Sequence, residues 1–254
     1  MSASISAQIF LGFLMFALVF VPLETWFPLR RKRTLRPGWA TDVAYYAIGC
    51  VIGQISDAVS TGATLLIRHA LIPKSYGVAA YQPSWLQLIE IVVVADFCAY
   101  MFHRLLHQFP FLWRFHEIHH TSKQMDWLAN VRLHPFDKFL GDCMQCVPIF
   151  CIGFADGPML TYLILLAFQG FLNHSNIKLH FGPFRWVVAS PQFHHWHHSS
   201  DPRAHNRNFA AHLPIFDLIF GTLYLPPGRA IPAKYGVSDS VPEGLIGQVI
   251  YPFR

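Results

Sequence analysis

Charged residues are scarce in this chain: Asp, Glu, Lys and Arg make up only 13% of its 254 residues, against roughly 25% in an ordinary soluble domain. Hydrophobic residues, in contrast, account for 53% of the sequence. This imbalance argues against a soluble protein and favours an integral membrane protein. Linker-like and low-complexity stretches are also lacking, so we expect residues 1–254 to form a single membrane domain.

Cysteine is sparse as well. The five cysteines all lie in or beside apolar stretches, and their spacing does not fit a ferredoxin cluster. Cys143-x2-Cys146 has the spacing of a redox or metal-binding pair. A single such pair at the edge of a hydrophobic segment is more often two small packing residues, which is the interpretation we favour. We therefore expect no structural disulfides.

Positive charge is present but concentrated in one place. It follows the first apolar segment as Arg30, Arg31, Lys32, Arg33 and Arg36. Beside a membrane span such a cluster indicates a cytoplasmic loop near anionic lipid, and no nucleic-acid partner is expected. Residues 1–23 contain no Lys or Arg, whereas a signal peptide carries positive charge before its apolar core. We interpret this segment as a retained anchor with its N-terminus outside.

Further apolar segments predict an all-α integral membrane protein with about four or five membrane-embedded helices. A second span is expected over residues 43–67 and a third over residues 85–102. Residues 139–171 are apolar again, but Asp156-Gly157-Pro158 interrupts them. A hairpin that turns there would return the chain to the same side of the membrane. Each arm would be shorter than the roughly twenty residues of a full span.

Nine of the fifteen histidines fall into three short boxes and one isolated position. They are His103 and His107; His116, His119 and His120; His174; and His194, His197 and His198. Residues three or four positions apart share a face of a helix, and neutral imidazole is the commonest protein ligand of transition metals. Because one zinc ion takes three or four ligands, nine histidines suggest two metal ions. All of them meet on one side of the membrane only if the hairpin forms.

Two other functions fit part of this pattern. His116-Glu117-x-x-His120 matches the motif of zinc metalloproteases, in which Glu117 would be the general base. A membrane-embedded protease would leave His119 and the other boxes without a role. A non-catalytic metal-binding or transport protein also uses histidine clusters, but a transporter places its ligands near the middle of its spans. Here the boxes lie just beyond the spans.

Asp96 is an acidic residue inside the third predicted span, which marks it as a functional candidate. It lies seven residues before His103 and therefore on the same helix face. We expect its carboxylate to accept a hydrogen bond from a ligand imidazole and to fix the tautomer of that ring.

Together these motifs resemble the histidine boxes of the fatty acid hydroxylase and sterol desaturase superfamily. The resemblance covers about residues 85–225 as a catalytic region, and Arg132-Leu133-His134-Pro135 and Asn173-His174-Ser175-Asn176 support it. It implies that the nine histidines bind metal and that His134 supports the site from beside the ligands. His195 falls at a variable position of its box. Lys178 stands where some family members carry a further histidine.

The resemblance also implies an activity. It points to two iron ions in a non-haem di-iron centre, which use O2 to hydroxylate or desaturate a C–H bond of a membrane lipid such as a sterol or fatty acyl chain. We expect a cytoplasmic helical cap to hold this site. No cytochrome b5, flavin or ferredoxin module is recognisable in the sequence. An external electron donor of the ferredoxin or cytochrome b5 type, with its reductase, is therefore expected.

Overall fold

The computed structural model describes residues 5–31, 35–71, 77–228, 230–237 and 241–254. Within these residues the chain is helical, and β-structure is limited to two isolated bridges. The all-α class expected from the sequence is therefore confirmed. Lys32 and Arg33 of the basic cluster lie outside the described residues.

Among the described residues, three helices are long and apolar enough to cross a membrane: α1 (Ile5–Trp26), α2 (Trp39–Leu71) and α3 (Ser84–Gln108). At about 1.5 Å per residue, each is longer than the roughly 30 Å hydrocarbon core of a bilayer. They include the three spans that the sequence predicts. Large apolar side chains such as Phe10 and Leu66 are exposed on their outer faces, as expected of helices that face lipid.

The predicted hairpin is present as α5 (Pro135–Ile152) and α6 (Asp156–His174). α5 ends at Gly153, whose φ of 79° lies in the left-handed region that glycine adopts without strain. The chain reverses over residues 153–155, directly before the predicted Asp156-Gly157-Pro158. The start of α5 and the end of α6 therefore lie on the same side. With 18 and 19 residues, the arms fall just short of a full span, so the total of four or five membrane-embedded helices stays a prediction.

The hairpin packs against α2 and α3. Ile91 of α3 meets Ile149 of α5 and Tyr162 of α6 in one buried apolar cluster. α1 joins the assembly through Phe20, which packs against Phe171 near the end of α6. Burial of these large side chains, at roughly 25 cal/mol per Å² of apolar surface, fixes the relative positions of the helix ends that carry the histidines.

Four short helices and the segments between them form a cap. They are α4 (Pro110–His116), α7 (Pro191–His197), α8 (Ile215–Ile219) and α9 (Leu245–Ile250). A buried ion cluster ties the cap to α2. Asp42 accepts hydrogen bonds from Arg36 at 2.5 Å and from Arg132 at 2.6 Å, while Arg36 also binds Asp126. Because a buried charge is costly unless it is fully paired, this cluster holds the segment around Arg132 in one place.

Candidate metal centre

Helix ends carry the histidine boxes to one place. His103 and His107 lie one turn apart near the end of α3, and His174 is the last residue of α6. His116 ends α4, and the other two histidines of its box follow in a short 3-10 turn. The third box occupies α7 and the next residue, behind an N-terminal cap formed by the Ser190 side chain. Each box is thus presented by about one helical turn, as its spacing predicts.

The nine histidines form two groups, and within each group the candidate ligand atoms lie within 4.8 Å of one another. The first group is His103, His107, His116, His120 and His197, and the second is His119, His174, His194 and His198. The groups adjoin, because the rings of His120 and His198 stack with their centroids 4.3 Å apart. The structure therefore brings together all nine histidines that the sequence predicts as ligands.

Hydrogen bonds to oxygen fix the tautomers in the first group. The Nδ1 of His103 lies 2.8 Å from the carbonyl oxygen of Phe209, and the Nδ1 of His197 lies 2.8 Å from that of Arg207. A carbonyl oxygen can only accept, so Nδ1 carries the proton in both rings. In a neutral imidazole this leaves the lone pair on Nε2, which points into the group.

The second group is oriented in the same way. The Nδ1 of His119 donates to the carbonyl oxygen of Arg132 over 3.1 Å, and the Nδ1 of His174 donates to that of Gly170 over 2.8 Å. The buried ion cluster that holds Arg132 therefore also positions the ring of His119. Orientation of a ligand imidazole through its other nitrogen is a regular feature of protein metal sites.

The lone pairs face one another at close range. The Nε2 atoms of His119 and His174 are 3.1 Å apart, although both rings donate through Nδ1. Such a contact is repulsive unless a proton or a metal cation lies between the two nitrogens. Burial lowers the pKa of His119 well below its usual value and that of His174 to about 4, so protonation is disfavoured. A metal cation is the group that these nitrogens fit.

The number of imidazoles in each group indicates which metals the site would suit. The Nε2 atoms of His103 and His116 face each other at 3.0 Å. The first group also offers five imidazoles, more than a tetrahedral zinc site uses. The donor set therefore fits a metal of higher coordination number, a requirement that iron meets.

Asp137 is a functional residue that the sequence reasoning missed. Its carboxylate accepts a hydrogen bond from the Nδ1 of His116 at 2.8 Å, with both side chains buried. The only signal in the sequence is an acidic residue in the first turn of the helix that follows His134-Pro135. His134 itself caps α5: its Nδ1 accepts from the amide of Phe136, and its Nε2 donates to the carbonyl oxygen of Val249. It therefore holds the helix that places Asp137, without contacting a candidate ligand.

Asp96 has a different partner from the one expected. Its carboxylate accepts hydrogen bonds from the backbone amides of Ala211, His212 and Leu213 at 2.8 to 3.0 Å. The imidazole nearest to it is His212, at 3.4 Å, which belongs to neither metal group. Backbone amides of the cap therefore occupy this carboxylate, where a ligand imidazole was expected. Asp96 therefore anchors the chain that runs beside the site.

Glu117 is not arranged as the general base of a zinc protease. Its Oε2 accepts a hydrogen bond from the hydroxyl of Tyr251 at 2.9 Å. His116 and His120 also share the first group with three further histidines, more ligands than the zinc protease motif supplies. A metalloprotease base must reach a water molecule on the metal. The geometry therefore argues against the protease function.

The other histidines lie outside the two groups. His195 is buried and contacts the hydroxyl of Tyr235 at 2.9 Å and the carbonyl oxygen of His174 at 3.2 Å, so it supports the chain beside the second group. His69 and His205 are exposed. Lys178 is also exposed, and the described residues provide no tenth imidazole at its position.

A cavity of about 560 Å³ adjoins the two groups. Histidines of both groups line it, among them His116 and His119, and its walls continue along α2, α5 and α6 with apolar residues such as Ile48 and Leu166. This volume lies within the usual range for small-molecule sites. A largely apolar cavity that reaches the imidazoles suits an apolar substrate.

Comparison with known sequences gives a consistent set of relatives. A sequence model of the fatty acid hydroxylase family matches residues 88–222, more than half of the chain. An ornithine lipid hydroxylase of Rhizobium tropici is 31% identical over 79% of this chain and 61% of its own length. An alkylglycerol monooxygenase of Xenopus tropicalis is 28% identical over 62% of this chain and 33% of its own length.

A very-long-chain aldehyde decarbonylase of Oryza sativa subsp. indica is more distant, with 26% identity over 50% of this chain and 22% of its own length. The match covers no more than 61% of the length of any of these three relatives. No solved structure matches the chain.

Proposed function

Because this chain belongs to the fatty acid hydroxylase family, we propose that it is a membrane-bound oxidoreductase that uses O2 to hydroxylate or desaturate a C–H bond of a membrane lipid. The observation that carries this proposal is the pair of imidazole groups beside an apolar cavity. Two candidate metal sites next to a largely apolar cavity would meet the two requirements of such a reaction, namely an oxidant and a bound hydrocarbon.

The nine histidines would hold two iron ions, five ligands around one and four around the other. When bound, these ions supply the activation of O2 and the removal of hydrogen from an unactivated C–H bond. The protein's own contribution is geometric. Hydrogen bonds from Nδ1 to Phe209, Arg207 and Asp137 keep the rings of the first group turned toward the metal, and the cavity fixes which carbon of the substrate lies beside it.

The relatives support a lipid substrate and favour hydroxylation. One is named for hydroxylation of an ornithine lipid and another for monooxygenation of an alkylglycerol. Both names describe insertion of oxygen into a polar lipid. Hydroxylation is therefore the favoured outcome for this chain, with desaturation as the alternative, because the position of the carbon relative to the metal selects between the two.

We place the metal centre on the cytoplasmic face. Arg30 follows α1 in the basic cluster, and its backbone amide donates to the side chain of Asn176 at 3.0 Å. Asn176 lies two residues after His174, so the basic segment runs beside the metal groups. Positively charged loops are retained in the cytoplasm, which supports this orientation.

An external electron donor completes the proposal. Exposed basic residues of the cap, among them Lys123, Arg203 and Lys234, suit an acidic ferredoxin or a cytochrome b5, because complementary charge speeds encounter between partners.

Labelled O2 tests the function directly. Membranes that contain the wild-type protein, a reducing system and 18O-labelled O2 should yield a hydroxylated lipid that carries the label. The His119→Ala variant should yield none, since it loses a ligand of the second group. His205→Ala is the matched control, because this exposed histidine lies outside both groups. Product formed without O2, or labelled only from water, would contradict the oxygenase function.

A further inference from the structure

The wall of the cavity contains a pair of opposite charges. Lys138 and Asp142 of α5 both line it, and the ammonium lies 2.6 Å from each carboxylate oxygen of Asp142. The two side chains are only partly buried, with 29% and 23% of their surface exposed. Asp137, the third charged side chain of this lining, is already bound to His116. The Lys138–Asp142 pair therefore has no task in the metal centre.

Helix stability does not explain the pair. Lys138 lies near the N-terminus of α5, where the helix dipole disfavours a cation. A lysine four residues before an acidic residue is also the weaker order for a pair of this spacing. Charges beside apolar walls are costly and usually functional. A role in binding a ligand would explain why this pair lies in the cavity wall.

Open space adjoins the pair, and a hydroxyl without a partner lines the same cavity. Gly49 of α2 faces Lys138: a Cβ there would lie 3.9 Å from the lysine Cε, and at Gly53 one turn further a Cβ would meet nothing within 4 Å. Tyr45, also in the lining, is 1% exposed. Its hydroxyl has no hydrogen-bond partner in the described part of the chain. A buried hydroxyl without a partner is unfavourable, so it points to a bound polar group.

We propose that Lys138 and Asp142 bind the head group of a zwitterionic lipid, one that carries an ammonium and a phosphate or carboxylate a few bonds apart. The inference rests on the proposed function, because it names the class of lipid that occupies the cavity beside the metal groups. Lys138 would bind the anionic part and Asp142 the ammonium.

Charge pairing explains the selectivity. A zwitterion replaces the internal ion pair with two charge-assisted hydrogen bonds and leaves neither charge unpaired. An anionic lipid satisfies Lys138 but leaves Asp142 without its cation, which is costly away from water. A neutral lipid, such as a diacylglycerol or a sterol, gains nothing from the pair.

Binding of labelled lipids tests the assignment. The purified protein is titrated in detergent with four probes that carry one fluorophore on the acyl chain: phosphatidylethanolamine, ornithine lipid, phosphatidylglycerol and diacylglycerol. At least one of the two zwitterions should bind about tenfold more tightly than the anionic and neutral lipids, as expected for one extra charged hydrogen bond. The zwitterion that binds more tightly identifies phosphate or carboxylate as the preferred anion.

Variants assign the selectivity to the pair. Lys138→Met combined with Asp142→Asn should reduce the preference to within about threefold. Asp142→Asn alone should make phosphatidylglycerol the most tightly bound of the four lipids, because the cation of Lys138 is then unpaired. A misfolded protein cannot gain such a preference. Asp201→Asn, in the exposed pair of Asp201 with Arg203, is the matched control and should behave as the wild type.

Different results would contradict the head-group assignment and the proposed function. No preference for a zwitterion in the wild type, or an unchanged preference in the Lys138 and Asp142 variants, overturns the head-group assignment. Lipid oxidation is measured separately with labelled O2. Selective binding without oxidation of any lipid would refute the proposed function and leave the head-group assignment standing, whereas oxidation without selective binding would do the reverse.

Discussion

At the scale of single residues, the protonation of imidazoles decides what the site can hold. Rings that donate through Nδ1 to carbonyl oxygens present lone pairs to one another, as His119 and His174 do at 3.1 Å. Burial opposes protonation of these rings. The site is therefore arranged for a cation that accepts lone pairs, and five of the nine candidate ligands are oriented by an oxygen atom behind the ring.

Substitution of Asp137 tests whether the oxygen behind a ligand ring controls metal binding. Asp137→Asn keeps the size of the side chain but removes the charge that binds the Nδ1–H of His116. Loss of such a supporting partner typically weakens metal binding by about 10- to 100-fold. Competition with a chelator should therefore strip iron from the variant at correspondingly lower chelator concentrations, while its helical circular dichroism stays unchanged. Equal iron retention in variant and wild type would show that Asp137 does not position His116.

The grouping of the nine histidines was predictable from the sequence, whereas most of the groups that orient their rings were not. His103 and His107 share a helix face and belong to a local pattern, so their spacing was sufficient. Asp137 supports His116 from 21 residues away, and Asp96 reaches the amide of Ala211 from 115 residues away. Such pairs depend on how elements pack, and the sequence alone does not specify that packing.

At the scale of elements, residues 207–213 form a segment that runs beside the first metal group and is fixed by hydrogen bonds on both sides. Its carbonyl oxygens at Arg207 and Phe209 accept from the ligands His197 and His103. Buried carboxylates fix it from behind: Asp217 accepts from the amides of residues 209 and 210, and Asp96 from those of residues 211–213. The rings of these candidate ligands therefore depend on carboxylates that belong to neither metal group.

Asp217→Asn should loosen this segment. The new amide group opposes one of the backbone N–H donors at Phe209 or Ala210, which costs about 1–3 kcal/mol of unfolding free energy. Thermal unfolding in detergent should begin at a lower temperature than in the wild type, and iron loss on heating should precede unfolding. Asp201→Asn, at a partly exposed carboxylate that pairs with Arg203 outside this segment, serves as the control. An unchanged melting temperature would contradict the role given to Asp217.

The hairpin is the element that the sequence predicts best, because the number of membrane crossings decides on which side of the membrane each histidine box lies. His174 and the third box meet the first two boxes only if the chain reverses within residues 139–171, and it does so at residues 153–155. The cap was not predictable in detail. Its helices are short and follow from contacts with the ends of α3 and α6, not from a periodic pattern of their own.

At the scale of the whole molecule, orientation in the membrane links the basic segment to the site. Arg203 is an exposed residue of the cap, and Tyr81, between α2 and α3, is 91% exposed. A membrane-impermeant maleimide should label Arg203→Cys only from the cytoplasmic side and Tyr81→Cys only from the opposite side. The unsubstituted protein measures the background from the native cysteines. Labelling of both positions from one side would contradict the proposed topology.

The metal content of the purified protein is the most direct test of a centre that holds two iron ions. Wild-type protein produced in iron-sufficient medium should contain about two iron ions per chain by elemental analysis, one for each imidazole group. His107→Ala in the first group and His198→Ala in the second should each lower this number, while His205→Ala should leave it unchanged. A wild-type protein that holds one zinc ion and no iron would contradict the account.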